Sequence, residues 1–556
     1  MRQRVWQILL VALLTLLSFG VAVVVAGEPG PQHALGRQTG DTASGISEDA
    51  YNTVITVTSG TDPSTSKSET CYTGTGSDAS PCTLRRAIVE SRGVDASARP
   101  VLIKFDIPED AAEGYDSSLG VWEIVLSGTT AHDLRELYGD TTIDGSTQPG
   151  GRDDGPKIIV DGDDSKNYGF ILRNDGNTIR GLAMQHFKTA HISVSSSDNV
   201  VEENWFGLSS DGSTLSSGDD TVPEYSSAVA LADGADGNVV RNNLFAGFYG
   251  AAVAIRGNGN VFTGNAVGMR ADGTVPIPRQ FDKHPCTGRT WAGGSGITVS
   301  GSNHEIGGPN QDDGNRFAGL YLDISELSEP PFAIELSGTD DDNLIQNNVI
   351  GLDAEGDTIG ICGRGIKLSG GPLNTQVISN TIVEPGLSAI LMNDSIIIDR
   401  LNGNTLRGNV IKRDTGWPEE QGDNTFPEAA IAYGSGVPDA LRNFAPAQIT
   451  QVDSTAVSGT SGSGSPCEYC TVEVFLEDQD NVVEALQSLA VVEADENGNW
   501  SATLPAALGQ NQALRTMSTV PDDWTITDLY AGTTSNLSEL YVGGYEIFLP
   551  VVVRGS

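Results

Sequence analysis

Seven times between Asn177 and Ile411 the chain writes a variant of one octet. The copies are NTIRGLAM at Asn177, NVVEENWF at Asn199, NVVRNNLF at Asn238, NVFTGNAV at Asn260, NLIQNNVI at Asn343, TQVISNTI at Thr375 and NTLRGNVI at Asn404. Apolar residues hold the third and eighth places. A second asparagine holds the sixth place in all but the first copy: Asn204, Asn243, Asn265, Asn348, Asn380 and Asn409. Asparagine is poor in strands and in helix interiors, so its return at fixed places within apolar runs calls for a structure that uses it at corners. The nearest copies lie 22 residues apart, about one coil of a parallel β-solenoid built from three short strands.

Ahead of the octets lie further strands, among them FILRN at Phe170, ISVSS at Ile192, VALAD at Val229, VAIRG at Val253, ITVSG at Ile297, IELSG at Ile334, IKLSG at Ile366 and ILMND at Ile390. Alternate residues are apolar, the period of a sheet with one buried face. In a solenoid equivalent turns stack about 4.8 Å apart. Asparagine tolerates the left-handed backbone of a sharp corner, and stacked side-chain amides can hydrogen-bond along the axis as a ladder. The interior then belongs to Val, Ile, Leu and Phe. A leucine-rich repeat would need an LxxLxLxxN signature, and a helical repeat an apolar 3.6 period; the chain has neither.

Composition bounds the setting. The chain has 556 residues and a formal charge of −41. Such a surface repels nucleic acid and anionic lipid. Arg2 and Arg4 precede an apolar run, Val5–Ala26, that ends in small residues, the pattern of a secretory signal cleaved after about Ala26. An uncleaved anchor is the alternative, because the run is long enough to span a bilayer. Cleavage would remove two arginines and no acid, leaving −43. Six cysteines in an exported chain suggest disulfides, and neighbourly pairing gives Cys71–Cys82, Cys286–Cys362 and Cys467–Cys470. Sequence does not fix that connectivity.

Residues 50 to about 443 resemble secreted bacterial right-handed parallel β-helix proteins that begin with a CSLREA-type segment. That segment is Cys82-Thr-Leu-Arg-Arg-Ala-Ile88 here, with Arg86 in place of the usual glutamate. TIDGSTQPG at Thr142, the stretches GLSSDGST, GMRADGTV and GLDAEGDT, and DALRNFAPAQIT at Asp439 carry the same resemblance. It implies an all-β, right-handed parallel β-helix and says little about activity.

Residues 1–26 read as the signal and 27–50 as a flexible leader. An N-terminal cap and first coils fill 51–160, and the β-helix proper fills 161–443. TLRRAIVES, from Thr83 to Ser91, spaces its apolar residues as a short helix that would cover the open N-terminal end. The coils are expected to end near Lys412. Alternating strands over 444–545, such as TVEVFLE and NWSATLPA, resemble an Ig-like β-sandwich appended as a spacer. A tail, 546–556, follows.

The resemblance implies that any chemistry sits on outward positions of a sheet or in loops above it. The outward residues of the strand column beginning at Phe170 are mostly small. They form no calcium-lyase groove, and no NTD, DD and GHG set of the pectin hydrolases is present. Asp219-Asp220 reads as a solvated turn. Glu335 and Lys367 fall on equivalent positions of consecutive coils, as a cross-strand ion pair or as an acid and a base. The insertion Met269–Gly294 gathers Arg279, Asp282, Lys283, His284, Arg289 and Trp291. Trp stacks on sugar rings and Arg grips carboxylates, so Arg279, Arg289 and Trp291 are candidate ligand contacts, with Lys283 and His284 as candidate catalytic groups. His186 and His191 flank a strand junction, as turn residues or a metal pair.

Three functional readings follow. The first is a non-catalytic, secreted or surface-attached monomer that binds an extracellular polysaccharide or cell-surface glycan, with no nucleic acid and no membrane span in the mature protein. The second is a polysaccharide lyase or glycoside hydrolase. The third is a calcium-dependent scaffold; the first two require no cofactor.

Overall fold

The computed structural model describes residues 47–62, 71, 81–128, 134, 136–217, 227–275, 293–321, 330–339, 341–393, 401–414, 429–434, 436–462, 465, 467–480, 482–522 and 529–542. All lie within one compact unit, Ala34–Ser556. The signal and most of the leader, Asp219-Asp220, Arg279, Asp282, Lys283, His284, Cys286, Arg289 and Trp291, and the tail fall outside the described residues.

The fold is a right-handed parallel β-helix followed by a small β-sandwich. One sheet has 11 parallel strands, from Thr53–Val57 to Thr405–Arg407. Seven of its members are the first halves of the octets, such as Val200–Glu202 pairing with Thr178–Arg180 on one side and Val239–Arg241 on the other, and four, Thr53–Val57, Val101–Phe105, Thr141–Asp144 and Glu305–Gly307, are not. The second halves form another parallel column, in which Trp205–Phe206 pairs with Leu244–Phe245. The strands ahead of the octets form the third, as in Ile334↔Ile366↔Ile390. The third column runs one strand past Lys412, to Ile431–Tyr433.

The sixth-place asparagines align coil over coil. The Asn204 backbone N–H and side-chain amide both donate to Asn243 Oδ1, at 3.0 and 3.1 Å, and the amide also donates to Ile179 O at 2.9 Å. Asn243 repeats this with Asn265 Oδ1, and the series continues through Asn315, Asn348, Asn380 and Asn409. A second ladder runs at the first place, Asn177 to Asn199 to Asn238 to Asn260. There His304 Nδ1 takes the Asn260 N–H, and Asn343 Oδ1 takes the His304 N–H. Between Asn260 and Asn343 lies a coil that carries no octet, so His304 and Asn315 escape the repeat pattern although His304 carries the first ladder on to Asn343 and Asn315 keeps the second continuous. The first ladder breaks at Thr375, whose buried Oγ1 has no partner among the described residues, and resumes from the Thr375 N–H to Asn404 Oδ1.

One part of the corner reading needs correction. The residue in the left-handed region is the one before the ladder residue: Asp198, Asn303 (before His304) and Asp342 at the first corner, and Glu203, Asn242 and Asn347 at the second, with φ between 55 and 62°. The ladder side chains instead point inward and are buried, Asn204 and Asn348 at 0% exposure. Beside them the eighth-place residues stack, with Phe206 and Phe245 parallel at 5.0 Å between ring centres.

Both ends are closed. The helix Leu84–Ser91 starts at Thr83, whose side chain accepts the Arg86 N–H. It buries Leu84, Ala87 and Ile88 in the core shared with the first strand. Cys71–Cys82 is a disulfide, and Arg85 binds buried Asp62 through Nε at 2.7 Å. Arg86, the departure from the family segment, pairs with Glu90 one turn on at 3.2 Å.

The C-terminal domain packs two three-stranded antiparallel sheets around Val457, Val472, Val474, Trp500 and Leu514. It is a cap and not a spacer, because it hydrogen-bonds the last coil. Gly403 N–H donates to Thr533 Oγ1 (2.7 Å), Leu406 N–H to Thr534 Oγ1 (3.0 Å) and Gly408 N–H to Glu473 Oε2 (2.9 Å). Ile411 and Ala485 exchange both backbone bonds, at 2.9 and 3.0 Å. Edge groups that would otherwise template aggregation are thereby satisfied.

The remaining cysteines divide. Cys362 is disulfide-bonded, and Cys286, its expected partner, lies outside the described residues. Cys467 and Cys470 are two buried free thiols in hydrogen-bond contact and not the expected third bond, with Tyr469 between them at φ 58°.

A ladder amide serves three partners, so its removal should cost more than one hydrogen bond. Asn243→Ala strips the Asn204 N–H of its acceptor and leaves Val201 O and Asn265 Oδ1 short of a donor. We expect a loss of roughly 2–4 kcal/mol, read as a fall in the solenoid's calorimetric transition. Asn242→Gly, next door at φ 56°, should change it little.

Candidate functional site

The outer face of the second column differs from that of the third. Where other coils place Ala183, Leu244, Ala266 or Val349 outward, one places Trp205. Arg152 lies over its indole, guanidinium carbon to ring centre 4.7 Å. Arg152 is itself held by Pro156 O, at 3.0 Å from Nε and 2.6 Å from Nη2, and by Ser210 O. Gly155 and Gly212 lie against the ring so closely that a Cβ at either would collide with it.

Around this indole runs a groove of about 680 Å³. Lys157, Arg270, Asn242, Glu203 and Leu244 line it with Arg152 and Trp205. Lys157 Nζ donates to Gln148 O at 3.1 Å. Glu203 is engaged by Arg180 Nη2. Arg270–Val275 is the described root of the Met269–Gly294 insertion, and it joins the groove wall where Ala271 N–H donates to Gly212 O at 3.0 Å. The whole chain carries 73 acids against 32 lysines and arginines, whereas this groove sets three cations against Asp153, Asp154 and the paired Glu203.

A second cluster sits where Val121–Val125, Ile158–Leu172 and Leu182–Val194 run side by side. His186 Nδ1 is 2.9 Å from Asp161 Oδ2, Gln185 Nε2 donates to the same oxygen at 2.9 Å, and it reaches Glu123 Oε1 at 3.2 Å. Burial, and then its hydrogen bond with Asp161, push Glu123 above the usual carboxylate range. Burial alone would raise Asp161 too, but bonds from His186, the Asp163 N–H and Gln185 outweigh it and hold Asp161 below that range. The hydrogen bond with Asp161 raises His186 to about 9. The cluster therefore sets a carboxyl whose pKa is raised and one whose pKa is lowered beside an imidazole raised to about 9. A glycosidase pair stands at least ~5 Å apart to admit sugar or water; two carboxyls that share a hydrogen bond do not.

The other sequence candidates are placed as follows. Glu335 and Lys367 are register partners in an ion pair of 2.9 Å, and Ser369 Oγ also donates to Glu335 at 3.1 Å. They neutralise each other. His191 is buried among Phe187, Phe206 and Phe248, and burial lowers it to about 3, so it is a core residue. His186 and His191 form no metal pair. Glu123, Asp161 and Trp205 went unnoticed in the sequence. Trp205 had a signal, the one aromatic at the octet's seventh place.

No family model and no curated protein matches the chain. Solved structures do. Pectate lyase Pel9A is 12% identical at TM-score 0.34, over 63% of this chain and 78% of its own. Tailspike protein 2 of Escherichia coli O157:H7 bacteriophage CAB120 is 9% identical at TM-score 0.34, over 73% and 61%. The A-module of mannuronan C-5 epimerase AlgE4 of Azotobacter vinelandii is 10% identical at TM-score 0.32, over 61% and 94%. At these identities the likeness is one of fold alone. Among the described residues, no helix is long and apolar enough to cross a membrane.

Because its folded pKa is raised from 6.5 to about 9, His186 contributes stability that is complete below the lower value and is lost as pH rises through the upper one. The melting temperature should fall between about pH 7 and 10, and fall less in His186→Gln. A parallel slope in both proteins would remove the pair as its source.

Proposed function

We propose that this is a secreted or cell-surface β-helix protein that binds a polysaccharide without altering it, using the groove around Trp205. The observation that carries this reading is the groove's makeup: an indole floor with Arg152, Lys157, Arg270 and the Asn242 amide around it, on a chain otherwise dominated by acids. Guanidinium and ammonium groups suit uronate carboxylates, and the amide suits hydroxyls. Trp205 stands on a strand and Arg152 is fixed by bonds to Pro156 O and Ser210 O, which limits the ordering cost of binding. The Arg279, Arg289 and Trp291 contacts belong to the same reading, because the insertion that carries them springs from the groove wall at Arg270. Export by the N-terminal signal, membership of the CSLREA-type group and an Ig-like ancestry for the sandwich complete the proposal.

A second reading is favoured by the Glu123–Asp161–His186 cluster. Two carboxyls in contact whose pKa values are pushed apart, beside an imidazole, are a feature of sites that move protons, and such a site would make the protein a polysaccharide lyase or hydrolase. Mutual satisfaction of the three groups places it second.

A glycan array of acidic and neutral polysaccharides, followed by calorimetry, tests the first reading. Arg270→Ala should weaken binding of the ligand found by at least about tenfold, one lost contact of about 1.4 kcal/mol. Unchanged affinity in Arg270→Ala and Trp205→Ala would overturn the assignment of the groove. Release of unsaturated or reducing ends, abolished by Glu123→Gln, would establish the second reading instead.

A further inference from the structure

At the other end of the molecule, where the sandwich meets the last coil, four carboxylates converge. Glu477 and Asp478 end the strand Thr471–Asp478, and Asp480 and Glu484 belong to the loop that follows. One carboxylate oxygen from each lies within 4.8 Å of the other three. Like charges at this spacing disfavour one another strongly. Arg515 Nε donates to Glu477 Oε2 at 2.5 Å, and the charge of Glu484 also acts on Lys412.

Backbone donors meet some of the remaining need. Asp478 Oδ1 accepts from Asp480 N–H at 3.1 Å, Asp480 Oδ1 from Val482 N–H at 2.7 Å, and Glu477 Oε2 from Glu484 N–H at 3.1 Å. Glu484 Oε1 accepts the Arg413 N–H of the last coil. One oxygen is left over. Glu477 is 1% exposed, and its Oε1 is buried with no hydrogen-bond partner. A buried carboxylate oxygen without a donor is costly. The three side chains grouped with Glu477 are carboxylates, which have no proton to give when ionised.

We propose that Glu477, Asp478, Asp480 and Glu484 bind a divalent cation, and that the cation is calcium. The ligand set is all oxygen, with neither histidine nor thiolate, which disfavours zinc and transition metals. Asp478 is half-buried and Asp480 exposed, so waters can complete a flexible six- to eight-oxygen shell of the kind calcium accepts and magnesium does not. The position gives the ion a purpose. Glu484 would touch the metal with one oxygen while its other holds the Arg413 N–H, and the next residue, Ala485, pairs with Ile411 in both directions. Calcium would therefore fix the loop that clasps the cap to the solenoid. This inference is independent of the glycan reading.

The test uses the full chain stripped with a chelator, with no glycan present, titrated with calcium chloride and separately with magnesium chloride. Calorimetry should show one calcium equivalent with a dissociation constant on the order of 0.1–1 mM, the range of extracellular modules. The melting transition that reports the sandwich should rise by several degrees. Asp480→Asn and Asp478→Asn should melt like the parent in chelator, bind calcium at least about tenfold more weakly and lose the rise. The proposal is overturned by an absence of calcium-dependent heat and shift in the parent, by undiminished binding in both variants, or by magnesium matching calcium.

Discussion

From Thr141 onward the coils depend on one contact: a corner N–H donated to a side-chain acceptor, in nearly all coils the amide oxygen of an asparagine, one coil further on. A chain that turns sharply inside a packed core must hide backbone groups that water would otherwise satisfy. Strand pairing cannot serve them, since the corner lies between sheets. An amide that presents Oδ1 to the coil before it and donates to carbonyls of that same coil serves several groups at once, and only an equivalent residue in the next coil can serve its own N–H. Register, twist and the inward stack of Phe206 and Phe245 follow from that mutual need. The C-terminal cap meets a related need, because the last coil has no further coil to pair its backbone N–H groups. At the C-terminal end Thr533, Thr534 and Glu473 supply oxygens to the coil that carries Asn404 and Asn409.

Much of this was legible because the ladder demands one residue type at one spacing, and spacing survives in a sequence. What escaped was whatever needs contact between distant segments. His304 replaces an asparagine with a ring nitrogen of equivalent reach, which no composition rule anticipates. Asn315 follows a 3-10 turn, Gln311–Asp313, that displaces it from the octet's count. The left-handed residue was misplaced by one because two neighbouring asparagines, Asn242 and Asn243, serve different ends: the first bends, the second bonds. The sandwich's role as a cap rests on bonds spanning more than a hundred residues in sequence, as from Thr533 back to Gly403.

The candidate sites show the same division. Glu335 and Lys367 are neighbours by register, so their pairing followed from the strand alignment. Glu123, Asp161 and His186 come from three successive coils whose strands vary in length, and nothing in the octets aligns them. Trp205 was legible as the one aromatic at the octet's seventh place, on the column beside the one whose outward residues are mostly small. In a solenoid each sheet offers a separate outward surface, and here the groove around Trp205 and the acid cluster lie along adjoining stretches of coil. The later coils carry mainly the ladder, the Glu335–Lys367 pair and the cap.

The claim that buried corner amides hold the coils in register is tested most directly by hydrogen exchange, since protection reports the opening free energy of each N–H. Peptides covering Asn204, Asn243, Asn265 and Asn348 should exchange as slowly as the central strands, through whole-solenoid opening. Exchange at those corners as fast as in exposed turns such as Ser209–Ser213 would contradict the account.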